Sequence, residues 1–307
     1  MTHVLITGGA GFIGSSLADR LLLDDGYSVT LVDNLLTGEA WKVPKHPRCK
    51  FVACDVNRYE EIAAVMTSHA FDYVFHYAAV VGVKRTIDNP VMVLNDIEGI
   101  RNILQLSKNT GVRRVFFSSS SEVYGEPVEL PQHEERTPLN SRLPYAVVKN
   151  VGESYCRSFQ KEYGLNYTIF RFFNTYGPKQ STDFVISKFI RLARANEPIP
   201  VYGNGGQTRT FCFITDNTDC TLRILEDNLM INEVINIGSE KDVTILELAE
   251  LIIRLTGSQS TIEFLPPLKE GDMTRRKPDA SKMKAILKRD LLPLEAGIKM
   301  ILEAKTK

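Results

Sequence analysis

The sequence predicts an α/β fold: a doubly wound parallel sheet with a smaller C-terminal lobe. Three observations carry this expectation. Short β-branched or aromatic runs alternate with amphipathic stretches through the first half of the chain. Several of those runs are apolar at consecutive positions, as strands covered on both faces must be. After Pro178 the texture changes, with Gly, Pro, Asn and Thr frequent around 198–210 and again near 266–279.

Taken in order, Val4–Thr7 reads as the first strand, running into a glycine-rich turn and a helix over Ile13–Leu23. Strands follow at Thr30–Asp33 and Phe51–Ala53, a helix at Tyr59–Met66, and a strand at Tyr73–Tyr77. A long helix is expected over Val91–Asn109, then the strand Val115–Ser119, the helix Tyr145–Glu162 and the strand Tyr167–Phe172. Val234–Ile237 reads as a late return to the same sheet, and Ile245–Thr256 as a helix of the C-terminal lobe. The expected division is 1–175, with 212–242 returning to it, against 176–211 and 243–307.

Lys plus Arg and Asp plus Glu both number 37 in the 307 residues. No global field draws such a protein to nucleic acid or to an acidic membrane, so any anion site must be local. No apolar run reaches the length of a membrane span. Met1–Ile6 lacks the basic and apolar regions of a signal peptide and reads as strand, so a cytoplasmic protein is expected. The five cysteines form no CxxC pair, and the histidines have no ligand spacing. Neither a disulfide framework nor a metal site is expected.

Thr7-Gly8-Gly9-Ala10-Gly11-Phe12-Ile13-Gly14 lies between the first strand and the first helix. Gly8, Gly11 and Gly14 provide a tight turn, close backbone approach to a pyrophosphate and close helix–strand packing. The phosphates then sit at a helix N-terminus, where N–H groups and the dipole favour anions. Asp33 ends the second strand 19 residues after Gly14. An acidic group there accepts hydrogen bonds from ribose hydroxyls and repels a 2′-phosphate, so the expected cofactor is NAD on a Rossmann-type sheet. Asp55 and Val56, after the third strand, are candidates to hold the adenine.

Tyr145 and Lys149 stand four apart, one above the other on a helix face. A nearby cation lowers a phenol's pKa, so Tyr145 is a candidate general base. The run Ser118–Glu122 lies at the C-terminal end of a strand, where open α/β sheets keep their ligands. His76, at the end of another strand, reads as a hydrogen-bonded structural residue.

The motifs TGGAGFIG (7–14), VDN (32–34), HYAA (76–79), SSSSEVYG (118–125), YAVVK (145–149), RFFNTYGP (171–178) and NGGQTRTF (204–211) together resemble the extended short-chain dehydrogenase/reductases of the NAD-dependent sugar epimerase/dehydratase family. The resemblance runs over essentially the whole chain. It implies Ser120, Tyr145 and Lys149 as a triad that oxidises C4 of a UDP-sugar, with the C-terminal lobe binding substrate. It implies cofactor contacts from Phe12, Ile13, Asn34, Ala78 and Ala79. For the substrate it implies Ser121, Asn174, Arg209 and Asp272.

The fate of the 4-keto sugar is divided. Glu122 resembles the residue that decarboxylases and some dehydratases carry, and Arg276 resembles the decarboxylase arginine that acts with it. The loop Ala79–Arg85 instead resembles that of uronate C4-epimerases, where Lys84 and Arg85 would anchor a C6 carboxylate. Ser121 stands where the most common dehydratase pattern has an acid. The expected order is C4-epimerisation of a UDP-sugar, a uronate for preference, then decarboxylation of UDP-glucuronate, then dehydration. The apolar stripes of Val91–Leu106 and Val147–Phe159, as relatives use them, imply a homodimer. A non-catalytic NAD-binding protein is the reading of a different class. Proteins that lost the chemistry usually lack one of the three triad residues, and all three are present.

Overall fold

In the computed structural model, which describes residues 1–267 and 276–304 (without the side chains of Val83 and Lys84), the expected sheet is present. The strands are β1 Thr2–Thr7, β2 Tyr27–Asp33, β3 Cys49–Ala53, β4 Tyr73–His76, β5 Arg114–Ser120, β6 Asn166–Phe172, β7 Thr175–Tyr176, β8 Ile199–Tyr202, β9 Thr208–Thr210, β10 Cys212–Phe213, β11 Glu233–Ile237, β12 Asp242–Thr244 and β13 Ile262–Leu265. The helices are α1 Phe12–Leu21, α2 Tyr59–Ser68, α3 Val83–Asp88, α4 Pro90–Leu94, α5 Asp96–Thr110, α6 Pro144–Tyr163, α7 Val185–Arg194, α8 Ile214–Glu226, α9 Ile245–Thr256, α10 Ser281–Leu287 and α11 Leu294–Glu303.

Seven strands form one sheet in the order β11-β6-β5-β4-β1-β2-β3, and every pairing in it is parallel. The order reverses between β1 and β4, which opens a crevice at the strand ends. One apolar cluster joins Leu5, Val74 and Val115 of the sheet to Ile62 of α2, Ile103 of α5 and Val148 of α6. A second joins Val4, Phe75 and Phe116 to Leu17 of α1, Leu222 of α8 and Met283 of α10. The two clusters lie on opposite faces, which is why the central strands carry apolar residues at consecutive positions. A third core gathers Phe189 of α7, Leu248 of α9 and Ile298 of α11 with Val201 of β8 and Phe213 of β10.

Helix ends follow local chemistry. Pro144 opens α6, where its missing N–H costs nothing. α5 and α6 both stop at left-handed glycines, Gly111 and Gly164. α9 starts with a reciprocal cap between Thr244 and Glu247. The helix expected over Val91–Asn109 is in fact two, α4 and α5, joined at Asn95. The joint turns Asn95 and Asp96 toward the crevice. Apolar periodicity cannot register such a turn, because the buried face resumes on its far side.

Candidate active site

Residues at or just beyond the ends of β1, β2, β4, β5 and β6 line one cavity of about 550 Å³. Its nucleotide end is built from the glycine turn. Gly8 has a φ of 67°, and a Cβ added there would lie 2.8 Å from the Ala78 backbone nitrogen. A Cβ on Gly14 would lie 2.6 Å from the Gly8 carbonyl oxygen. Both glycines are therefore dictated by close backbone approach. Gly11 precedes α1 with no side-chain cap, and the first turn carries no acid, so this helix end suits an anion.

Asp33 is buried at the cavity wall. Its Oδ2 accepts the Ala10 N–H at 3.0 Å and its Oδ1 accepts the Leu35 N–H at 2.8 Å. Burial pushes its pKa up, against those two hydrogen bonds and the charge of Lys42. Phe12, Ile13, Asn34, Asp55, Val56, Ala78 and Ala79 line the same cavity. A crowded glycine turn, an uncapped helix start and an oriented carboxylate fit a dinucleotide.

The other end holds the side chains with reactive chemistry. Tyr145 and Lys149 lie one turn apart on α6, with the Lys149 Nζ 5.6 Å from the Tyr145 ring centroid. Lys149 donates to the Ser118 Oγ at 3.3 Å. Burial pulls its pKa down to about 8, with the charge of Asp96 opposing. The Ser120 Oγ accepts the Glu122 N–H at 3.1 Å and faces the Tyr145 phenol. The phenol's pKa is raised, first by burial and then by Glu122, against the Ser120 hydroxyl and Arg276. The lowering expected from the Tyr–Lys spacing is therefore not delivered by the protein alone. A desolvated ammonium shared with Ser118 and Asp96 does not offset the phenol's own burial.

Glu122 and Arg276 meet inside the cavity, the Nη1 of Arg276 standing 3.4 Å from the Glu122 Oε1. Ser121 and Asn174 also line it, and the Asn174 amide donates to the Thr210 carbonyl at 3.0 Å.

Not every expected substrate contact is brought here. Arg85 donates to the Val81 carbonyl at 2.8 Å and is not in the cavity lining. Arg209 sits on β9, where its Nη1 donates to the Thr208 carbonyl, and it is likewise outside the lining. The resemblance implied Arg85 at the sugar carboxylate and Arg209 at the nucleotide diphosphate, but it does not fix which way a loop or edge-strand side chain turns. Asp272 and the side chain of Lys84 lie outside the described residues.

Asp96 and Ser118 are the neighbours of Lys149 that the sequence reading did not assign. An acid at the start of a helix reads as a dipole partner, and only its burial distinguishes this one. Phe184, Val185 and Ile186 add an apolar wall that no motif announced, beside Phe211 at the end of the 204–211 motif. His76 is structural, as expected. Burial and then Lys149 pull its pKa down to about 3. Its Nδ1 lies 2.8 Å from the Thr7 Oγ1, which itself accepts the N–H groups of Tyr77 and Ala78.

The family model described as "NAD dependent epimerase/dehydratase family" matches residues 4–238. The chain is 36% identical to UDP-glucuronic acid decarboxylase 1 of Danio rerio, over 96% of this chain and 71% of that protein. It is 33% identical to a putative UDP-glucose 4-epimerase of Methanocaldococcus jannaschii, over 97% of this chain and 96% of that one. Its fold is similar to that of the UDP-glucose 4-epimerase of Thermotoga maritima solved with UDP-glucose. There the TM-score is 0.92, with 32% identity and 98% of each chain covered.

Proposed function

Because the chain belongs to the NAD dependent epimerase/dehydratase family, we propose that it oxidises C4 of a UDP-hexuronate and that the 4-keto sugar then loses its C6 carboxylate. The glycine turn, the N-terminus of α1, Asp33 and Lys149 would hold the cofactor. When bound, NAD supplies the acceptor for the C4 hydride and later returns it.

The residues of the chain do the rest. Tyr145 takes the O4 proton, and Ser120 holds the same oxygen by a hydrogen bond. A carboxylate on C5 is then β to a ketone. The C5–C6 electron pair moves toward C4 as carbon dioxide leaves, and the charge gathers on O4. The Tyr145 and Ser120 hydroxyls are the donors placed to stabilise it there. Arg276 binds the departing carboxylate, and Glu122 is the acid on that side from which C5 regains a proton.

One observation carries this reading: Glu122 and Arg276 face each other in the cavity. It reverses the order expected from sequence, where the 79–85 loop favoured epimerisation, because Arg85 has turned to the Val81 carbonyl. C4-epimerisation is the second reading. It needs only the triad, which the cavity holds, and the likeness to a solved 4-epimerase favours it. Dehydration stands last, since Ser121 supplies no acid.

Incubation with UDP-glucuronate and NAD, followed by NMR of the products, separates these. Carbon dioxide and a UDP-pentose are expected. A UDP-hexuronate inverted at C4 with no gas released would overturn decarboxylation.

The division into a cofactor half (1–175 and 212–242) and a nucleotide-sugar half belongs to the same proposal. So does a homodimer through α4 to α6, whose outward side exposes Val91, Leu94, Val147 and Tyr163. A cytoplasmic location is also proposed. No helix among the described residues is long and apolar enough to cross a membrane.

A further inference from the structure

Beneath the triad lies a polar network that the proposed chemistry does not use. Tyr145, Lys149 and Glu153 follow one another at four-residue steps on α6, so they share a stripe. Glu153 is 0% exposed and does not line the cavity. Its Oε1 accepts the Ser119 hydroxyl at 2.7 Å and the Arg171 Nε at 2.8 Å. Its Oε2 accepts Nη2 groups from Arg171 at 2.7 Å and Arg157 at 3.0 Å. Burial works against this charge, but Arg171, Ser119 and Arg157 outweigh it and hold the carboxyl below its usual range.

The network continues through the buried Arg171. Its Nη1 donates to the Tyr124 hydroxyl at 2.9 Å and to the Glu134 carbonyl at 3.0 Å. Tyr124 in turn donates to the Asn236 Oδ1 at 2.7 Å. The Asn236 amide donates to the carbonyls of Gln132 at 2.9 Å and Asp279 at 3.3 Å. Every segment that presents a reactive group is thereby joined. Ser119 sits between Ser118 and Ser120 on β5, and Glu153 is one turn beyond Lys149 on α6. Tyr124 closes the short turn Ser121–Tyr124 that carries Glu122, and Asp279 lies three residues after Arg276.

We propose that Glu153 and Arg171 are a positioning pair, setting the mutual placement of Ser120, Tyr145, Lys149 and Glu122 through Ser119 and Tyr124 without touching substrate; this rests on the triad reading above. Stability alone does not call for such a pair, since apolar residues of the same volume often hold a core as well. What charged, bidentate hydrogen bonds add is direction. A displacement of about 1 Å in a reacting group costs up to about a hundredfold in rate.

The test uses the holoenzyme with whichever UDP-sugar a panel of UDP-glucuronate, UDP-glucose and UDP-N-acetylglucosamine shows to turn over. Ser119→Ala and Tyr124→Phe each remove one hydroxyl and leave the ion pair intact. In each, kcat should fall about tenfold while KM stays within about twofold and bound NAD is unchanged, although the buried partner left unpaired lowers the melting temperature by a few degrees. Ser119→Thr, which restores the hydroxyl, should recover most of the rate. Wild-type kcat per folded molecule in both hydroxyl deletions overturns the proposal, whether or not they melt earlier. Tyr145→Phe separates the two levels. If it turns over normally, the triad reading fails. If it is inactive while both deletions retain full kcat, only the positioning proposal fails.

Discussion

At the scale of single residues, the site sets burial against charge. Lys149 is fully enclosed and Asp96 only partly compensates, so its ammonium titrates at about 8 rather than 10.5. Between those values the unfolded chain binds a proton that the folded chain does not. From this group, stability therefore rises with pH across that window, and the full cost of burying the charge is felt below about pH 8. Replacing the lysine by an apolar residue of similar length should show this in the cofactor-free protein. Lys149→Met should be stabilised relative to wild type at pH 7, with the gain shrinking as pH approaches 10. Urea midpoints of the two proteins over that range are the measurement, and a difference independent of pH would contradict it. Tyr145 is pushed the opposite way, toward the neutral phenol. The oxidised nicotinamide ring is a cation, and its arrival beside the phenol would favour the phenolate. The residue types of this site were legible in the sequence because YxxxK and a serine-rich strand end are local patterns. The sign of the phenol's shift was not, because burial is a property of the assembled crevice.

At the scale of elements, the strand–turn–helix at the N-terminus is the most constrained. Gly14→Ala would place its methyl group on the Gly8 carbonyl, which is backbone and cannot move aside. Loss of bound NAD by at least about tenfold is expected, with the far-UV circular dichroism unchanged. NAD content after purification or titration calorimetry reads it directly. Wild-type affinity would show that the turn does not hold the pyrophosphate. All seven strands of the main sheet could be read from the sequence, since a buried parallel strand leaves an apolar run between turn residues. The two-residue and three-residue strands β7, β9, β10 and β12 could not, for they are too short to show a period. α7 is amphipathic in the folded chain, yet it lies in a stretch whose surroundings are rich in Gly, Pro and Asn. That composition masked it. Arg85 and Arg209 illustrate the same limit for the site: position along an element was readable, but side-chain direction was not.

At the scale of the whole molecule, the unpartnered face is the outward side of α4 to α6. Val91 is 71% exposed there, and Leu94, Val147 and Tyr163 are exposed with it. A second copy of the chain pairing this face would cover it. Light scattering at micromolar concentration should give twice the chain mass of 34.5 kDa. The double variant Val91→Glu, Val147→Glu should give the single mass, because a charge facing its own symmetry mate is repelled. A wild-type monomer would remove the dimer from the proposal. The cavity lies on the strand ends rather than on this face, so the double variant should keep its bound NAD.

The order of the sheet also decides when it can be finished. β6 is flanked by β5, 46 residues earlier in the chain (Ser120 to Asn166), and by β11, which begins at Glu233. A nascent polypeptide that has emerged as far as Cys212 has six of the seven strands outside the ribosome. The outer N–H and C=O row of Asn166–Phe172 is still waiting for its neighbour. Translation must continue through α8 to β11 before that border is sealed, so the β3 side of the sheet is complete long before the β11 side can be.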